Sequence, residues 1–264
     1  MNRLGIIARS DERIVQPTLF DRLFVRTLET LYLEDYDIEA VSFFVGNKIK
    51  NLEKTLTENG ISVAVCTQSF LSKFKLFDTD SITLAKGKIF YRRLTPKIIK
   101  KIAKIAGVDP KSGSIAISEE NPSLALSLVE NLCDNFKYIT VISKNAKRAS
   151  EISEKILDEY GIPIIIAGSD SKVNCDIAVK TGTTIPVMSK NTILIDASCE
   201  HTITRKNSVD WIDVSLSHNL PYKIDSLSLA EAFELVTGSK ADYKITAFRC
   251  GTDIVPTSIF GIRR

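Results

Sequence analysis

Residues 114–123 read Ser114-Ile-Ala-Ile-Ser118-Glu119-Glu120-Asn121-Pro122-Ser123. A short apolar run breaks into a polar turn, and a proline then stands where a helix would begin. Proline suits the first helical position because its missing N–H has no partner there anyway. The spacing therefore predicts a strand over 114–117, a tight turn, and a helix over 122–133. The same rhythm continues downstream: a strand over 138–142, a helix over 146–160, and strands over 163–167, 176–179 and 192–195. A further strand over 209–214, a helix over 228–236 closing near Gly238, and a strand over 243–249 complete the second half. Several of these strands are continuous apolar runs, as expected when both faces of a sheet are covered. Strand–helix alternation implies parallel pairing with crossover helices. The expected class is α/β, with mainly parallel sheets and helices on both faces.

The first half shows the same alternation with an interruption. Leu4–Ala8 reads as a strand. Phe20, Leu23, Phe24, Thr27, Leu28 and Leu31 recur at helical spacing, which predicts a helix over 18–33. Strands are expected over 38–45 and 61–66, with a helix between them that ends near Asn59–Gly60. Residues 82–84 and 88–91 flank Ala85-Lys86-Gly87, which suggests a hairpin. Thr95–Pro96 then has the chemistry of a helix start. The turn-rich stretch 107–113 marks the expected boundary between an N-terminal α/β domain, 1–108, and a second domain, 109–264.

The chain has 264 residues, 44% of them hydrophobic and 25% charged, which excludes disordered and fibrous classes. No apolar stretch approaches the roughly 18 residues needed to span a bilayer. The N-terminal apolar run is too short for a signal-peptide core, so a cytoplasmic protein is expected. The five cysteines are scattered with no C-x-x-C pair, which argues for reduced thiols and against a disulfide framework or structural zinc.

Three segments carry a resemblance. They are Tyr138-Ile-Thr-Val-Ile-Ser-Lys-Asn-Ala-Lys-Arg-Ala149, Asn174-Cys-Asp-Ile-Ala-Val-Lys-Thr-Gly182 and Thr192-Ile-Leu-Ile-Asp-Ala-Ser198. Residues from about 113 to 198 resemble the NAD(P)-binding domain of shikimate dehydrogenase, glutamyl-tRNA reductase and related enzymes. The resemblance implies a Rossmann-like second half with a ligand at the carboxyl ends of its strands. It does not extend to either activity. The N-V-T-x-P-x-K and N-T-D motifs of shikimate dehydrogenase are absent, with only a loose echo at Cys250-Gly251-Thr252-Asp253. Glutamyl-tRNA reductase needs an N-terminal cysteine near a histidine, whereas Cys66 stands far in sequence from either histidine.

The turn quoted first is where the chain departs from that fold. A dinucleotide site has G-x-G-x-x-G between its first strand and helix, so that backbone can approach the pyrophosphate with no Cβ in the way. Residues 118–123 hold none of those glycines. Glu119 and Glu120 place two carboxylates where two phosphates would sit, and they would fill or repel from an anion site. Against this, the segment after the second strand carries Ser143, Lys144, Asn145, Lys147 and Arg148 and no acid, which is the pattern that accepts a 2′-phosphate. Thr181-Gly182-Thr183-Thr184 follows its own strand and offers hydroxyls and amides. The candidate ligand contacts are Ser118, Ser123, Ser143, Lys144, Arg148, Thr181 and Gly182.

Two further features compete. Residues 86–111 hold nine lysines and arginines against the single acid Asp109. On the helix expected after Thr95, Lys97, Lys100, Lys101 and Lys104 fall opposite the isoleucines, as on a surface for nucleic acid or another polyanion, or as a solvated face. His201 and His218, the only histidines, follow strand ends and are the weak catalytic candidates; they are too few for a metal site. The first expectation is a Rossmann-like binding or regulatory protein with no dinucleotide in its usual place. The alternatives are an NADP-dependent oxidoreductase with an atypical phosphate loop and a polyanion-binding module.

Overall fold

The computed structural model describes residues 2–9, 25–46, 51–74, 80–200, 207–217, 220–250 and 253–257. In chain order the first strands and helices are β1 (Asn2–Arg9), β2 (Arg26–Leu33), β3 (Ile38–Val45), α1 (Leu52–Glu58), β4 (Val63–Cys66), α2 (Gln68–Lys73), β5 (Thr83–Leu84) and α3 (Lys88–Ile105). There follow β6 (Ser114–Ser118), α4 (Pro122–Leu132), β7 (Tyr138–Ser143), α5 (Ala146–Tyr160), β8 (Ile165–Gly168), β9 (Ile177–Lys180), β10 (Ile193–Asp196) and β11 (Ser208–Val209). The last are β12 (Trp211–Leu216), α6 (Ser226–Thr237), β13 (Tyr243–Cys250) and β14 (Asp253–Pro256).

The chain divides into two compact units, residues 1–90 with 214–244, and residues 91–213 with 245–264. These differ from a linear split at residue 108, because each unit takes a segment from beyond the other's main stretch. The first unit holds a five-stranded sheet in the order β2-β3-β1-β4-β5. Its central pairs are parallel, and β2 runs antiparallel to β3. The second unit holds a six-stranded sheet in the order β11-β10-β9-β6-β7-β8, with every pairing parallel. A three-stranded sheet runs β12-β13-β14.

The second sheet follows from its sequence. Ile115, Ala116 and Ile117 of β6 and Ile177, Ala178 and Val179 of β9 are fully buried, so their uninterrupted apolar runs fit central strands with both faces covered. Asn121 caps α4 by accepting from the Leu124 amide, and Pro122 stands at the first position. Asn145 caps α5 by accepting from the Arg148 amide, and Gly161 ends it at φ +69°. That angle is easy for glycine and strained for a residue with a Cβ. Ala125, Leu128, Val129 and Leu132 bury one face of α4, and Ala149, Ile152 and Ile156 one face of α5.

Two expectations are corrected. The segment 26–33 is a strand and not the end of a helix. Leu31 and Leu33 turn toward the core while Thr30 and Tyr32 are exposed, a period of two. The residues of that expected helix before Val25 lie outside the described ones. The expected hairpin at 82–91 is also absent. Residues 83–84 pair in parallel with β4, and residues 88–105 form one helix. The start of α3 is fixed from a distance, because the buried Glu231 carboxylate accepts the Lys86 amide at 3.1 Å and the Phe90 amide at 2.9 Å. The Phe90 amide is one of the four that a helix start leaves unpaired, and the Lys86 amide lies just before it. Thr95–Pro96 therefore falls inside the helix and does not open it. Proline removes one donor to the carbonyl four residues back; one residue earlier, the buried Thr95 hydroxyl donates to the Tyr91 carbonyl at 3.0 Å.

Candidate functional site

The connections from β6 lead outward through β7 to β8, and those from β9 lead the other way through β10 to β11. Between β6 and β9 the strand order reverses, which opens a crevice outside the strand ends. Ser118 ends β6, and Thr181 follows β9. The Thr181 amide donates to Ser118 Oγ at 2.8 Å, and Thr181 Oγ1 donates to the Ser118 carbonyl at 2.7 Å. The Asn121 amide in turn donates to Thr181 Oγ1 at 3.1 Å. Both side chains are buried, so these hydroxyls latch the two strand ends together across the crevice.

Glu120 lies over this latch. Its carboxylate accepts the Thr184 amide at 2.9 Å and the Thr184 hydroxyl. A Cβ on Gly182 would stand 2.0 Å from Glu120 Oε2 and 2.4 Å from Glu120 Cβ, so glycine is what lets the two segments meet. Desolvation pushes the Glu120 carboxyl up, but hydrogen bonds from Thr184 and Thr183 and the nearby Lys144 charge outweigh it. The net pKa lies below the ordinary glutamate value. The anionic form is thus the one this loop holds.

Beside the latch, the ends of β6, β7 and β8 enclose a pocket of about 180 Å³. Both carboxylates, Glu119 and Glu120, line it with Ser143, Lys144 and Arg148, and Ile142 and Pro186 are apolar walls. Glu119 is 5% exposed. Its amide donates to the Ile142 carbonyl, and Oε2 accepts the Ser143 hydroxyl at 2.5 Å. Its Oε1 is enclosed with no hydrogen-bond partner. Ser143 Oγ also accepts the Asn145 amide at 2.8 Å.

The strand order is that of a Rossmann sheet. Numbered within the second unit, it runs 6-5-4-1-2-3, the arrangement of two mononucleotide-binding halves. No family model matches the chain, and no curated protein matches it in sequence. Among solved structures it is similar to a shikimate dehydrogenase in complex with NADP+, at 12% identity over 92% of each chain and a TM-score of 0.40. It is similar also to a quinate dehydrogenase from Corynebacterium glutamicum in complex with NAD, at 11% identity over 91% of this chain and 95% of that one, TM-score 0.37. A shikimate dehydrogenase from Aquifex aeolicus matches at 11% identity over 100% and 98%, TM-score 0.35. At these values no activity transfers, and the Rossmann arrangement here stands on the strand pairings themselves.

Of the candidate ligand contacts, Ser118, Ser143, Lys144 and Arg148 line the pocket. Thr181 and Gly182 brace its edge through Ser118 and Glu120, and Ser123 is exposed in the first turn of α4. His201 and His218 lie outside the described residues. On α3, Lys97, Lys100 and Lys104 are exposed, whereas Lys101 is half-buried and donates from Nζ to the Ile245 carbonyl at 2.9 Å. Lys101 is therefore tied into the fold. Among the described residues no group of histidine, cysteine or acidic side chains is arranged to hold a metal, and no helix is long and apolar enough to cross a membrane. All five cysteines are free thiols, four of them buried.

The sequence reading missed a second polar cluster at the ends of β9 and β10. Lys180 and Asp196 are register partners and both are fully buried. Lys180 Nζ stands 3.1 Å from Asp196 Oδ2 and 3.2 Å from Ser198 Oγ. The Ser198 amide and hydroxyl both donate to Asp196 Oδ1. Arg92 reinforces the following turn by donating to the carbonyls of Ala197 and Ser198. The signal was present: a lysine inside the apolar run Ile177-Ala-Val-Lys180 needs a buried anion, and the only acid in the neighbouring run is Asp196.

Proposed function

We propose that the unit of residues 91–213 with 245–264 is a Rossmann-type binding unit that takes a small ligand in the pocket beside Glu119, with no dinucleotide in the usual pose. The observation that carries this reading is Glu120, held over Gly182 by Thr184. In a dinucleotide fold that position admits the pyrophosphate against the first helix. An NAD(P) pyrophosphate does not fit the residues present. It would have to displace a carboxylate that is both hydrogen-bonded and charged, and like charges about 4 Å apart repel by several kcal/mol at an intermediate dielectric. A second observation agrees. Residues 181–192, between β9 and β10, contain no helix, so that connection supplies no helix N-terminus for a second phosphate group.

Calorimetric titration with NADPH and NADH tests the reading. Both are expected to bind more weakly than about 1 mM, an affinity of about −4 kcal/mol. A micromolar constant for either would overturn it and favour an NADP-dependent oxidoreductase with an atypical loop. The feature that keeps this alternative in view is the pair Lys144 and Arg148 on the pocket, basic residues in the segment that selects a 2′-phosphate.

A further inference from the structure

Helix α3 carries seven lysines and arginines and no acid. Two of the seven serve the fold: Arg92 donates to the Ala197 and Ser198 carbonyls, and Lys101 to that of Ile245. Arg93, Lys97, Lys100 and Lys104 are exposed. Their spacings of four, three and four residues set them on one stripe of the helix. The opposite face is spent, with Leu94, Ile98, Ile99 and Ile102 buried in the core. From Tyr91 onward the helix shows solvent no large apolar side chain.

The stripe continues past the helix. The turn after α3 presents exposed Lys111, and the Lys137 amide donates to the Pro110 carbonyl at 3.2 Å, which brings Lys137 alongside. Lys137 is exposed, and its Nζ lies 5.4 Å from the centre of the exposed Tyr138 ring. The single acid between residues 88 and 118 is Asp109. Its carboxylate folds into the same turn, accepting the Lys111 amide and the Ser112 hydroxyl. Lys100, Lys104, Lys111 and Lys137 form no ion pair among the described residues. Lys100 and Lys104, one helical turn apart, repel each other. The ridge is thus a line of cations that an external anion would relieve.

Geometry selects the anion. A helix that lies on a membrane needs its apolar face free to enter the lipid boundary, and the apolar face of α3 is in the core. Single strands are held by aromatic rings on which successive bases stack, and the ring on this ridge, Tyr138, already has Lys137 over it. A duplex needs neither. It offers a stiff line of phosphates, one per strand about every 3.4 Å of axis. From Arg93 to Lys104 the cations run straight for about 16 Å, at 1.5 Å per residue. We propose that the ridge of Arg93, Lys97, Lys100, Lys104, Lys111 and Lys137 docks the phosphate backbone of a nucleic-acid duplex. Contacts to phosphate carry no sequence information, so binding is independent of sequence. The far end of the ridge lies at the starts of β6 and β7, whereas the pocket lies at the ends of those strands.

The test is fluorescence anisotropy of a short labelled DNA duplex titrated with the full chain, between about 50 and 200 mM salt. Binding should weaken with salt along a log–log slope of about −4.5, as for five neutralised phosphates. Lys100→Gln with Lys104→Gln and Lys111→Gln should flatten that slope by about 2.7 and weaken binding at the lowest salt by about tenfold or more. Glutamine is a good helix former, so the thermal melt of this variant should overlay that of wild type. Lys54→Gln with Lys147→Gln and Lys172→Gln changes three exposed lysines elsewhere. Either triple change takes the formal net charge from +3 to 0, so position alone separates the two, and the second should bind as wild type does. The same sequence as a single strand should bind more weakly, because it releases fewer counterions per phosphate. No duplex binding at the lowest salt, equal losses in the two triple variants, or a single strand bound as tightly as the duplex would overturn the proposal. Phosphatidylserine vesicles run alongside give the remaining outcome: capture by vesicles with the duplex silent would assign the ridge to a membrane surface and overturn it as well.

Discussion

Asp196→Ala is expected to destabilise the protein by about 3–5 kcal/mol, because it takes the carboxylate at 3.1 Å away from the buried Lys180 ammonium. For a chain of this size that corresponds to a fall in melting temperature on the order of 10 °C. The reason is asymmetry. The intact pair has already met the cost of leaving water, through the Lys180–Asp196 contact and the Ser198 hydroxyl and amide. Removing one member leaves that cost and takes away what offset it. The double replacement Lys180→Met with Asp196→Leu removes both charges and should come much closer to wild type, since apolar replacement of a buried pair is often neutral. Circular-dichroism melts of the three proteins decide the matter. A single variant within 1 kcal/mol of wild type would mean that water reaches Lys180 and the pair is not the closed unit described.

Gly182→Ala is the second large effect. The new Cβ would overlap both the carboxylate and the Cβ of Glu120. The carboxylate can swing away, but the Glu120 Cβ moves only with the backbone. Forcing such a shift costs about 1–3 kcal/mol and also breaks the Thr184 contacts. In a Glu120→Gly background neither obstacle exists, so the same alanine should cost little. A double-mutant cycle measured by denaturant unfolding should therefore show a coupling above about 1 kcal/mol. Additive costs would place the importance of Gly182 elsewhere than in its approach to Glu120.

Much of the second unit was legible because local chemistry and tertiary demand agree there. Apolar runs with both faces covered, the Pro122 start and the Gly161 stop all point the same way. Where local signals misled, a distant residue had intervened. Gly87 and Pro96 punctuate the sequence like a turn and a helix start, yet residues 88–105 are one helix because Glu231 caps its beginning from 141 residues away in the chain. Residues 26–33 satisfy a helical spacing by coincidence, and pairing with β3 decides for the strand. At the site, the missing glycines of 118–123 were readable. The destinations of their replacements were not. Glu119 and Glu120 are adjacent in sequence, but one turns inward to Ser143 and the other outward to Thr184, and only the packing of β7 and of the 181–184 loop separates them.

The cysteines make the pocket unusually convenient to watch. Burial pushes the thiols of Cys66, Cys175 and Cys250 up to about 12, 11 and 11. Alkylating dyes attack the thiolate, so at pH 8 these native sulfurs present only about one reactive molecule in a thousand or fewer. A cysteine introduced at exposed Lys144 would ionise near the ordinary value and outcompete them by orders of magnitude. A maleimide fluorophore seated there would meet little competition from Cys66, Cys175 and Cys250 and would give an optical reporter of occupancy on the pocket rim.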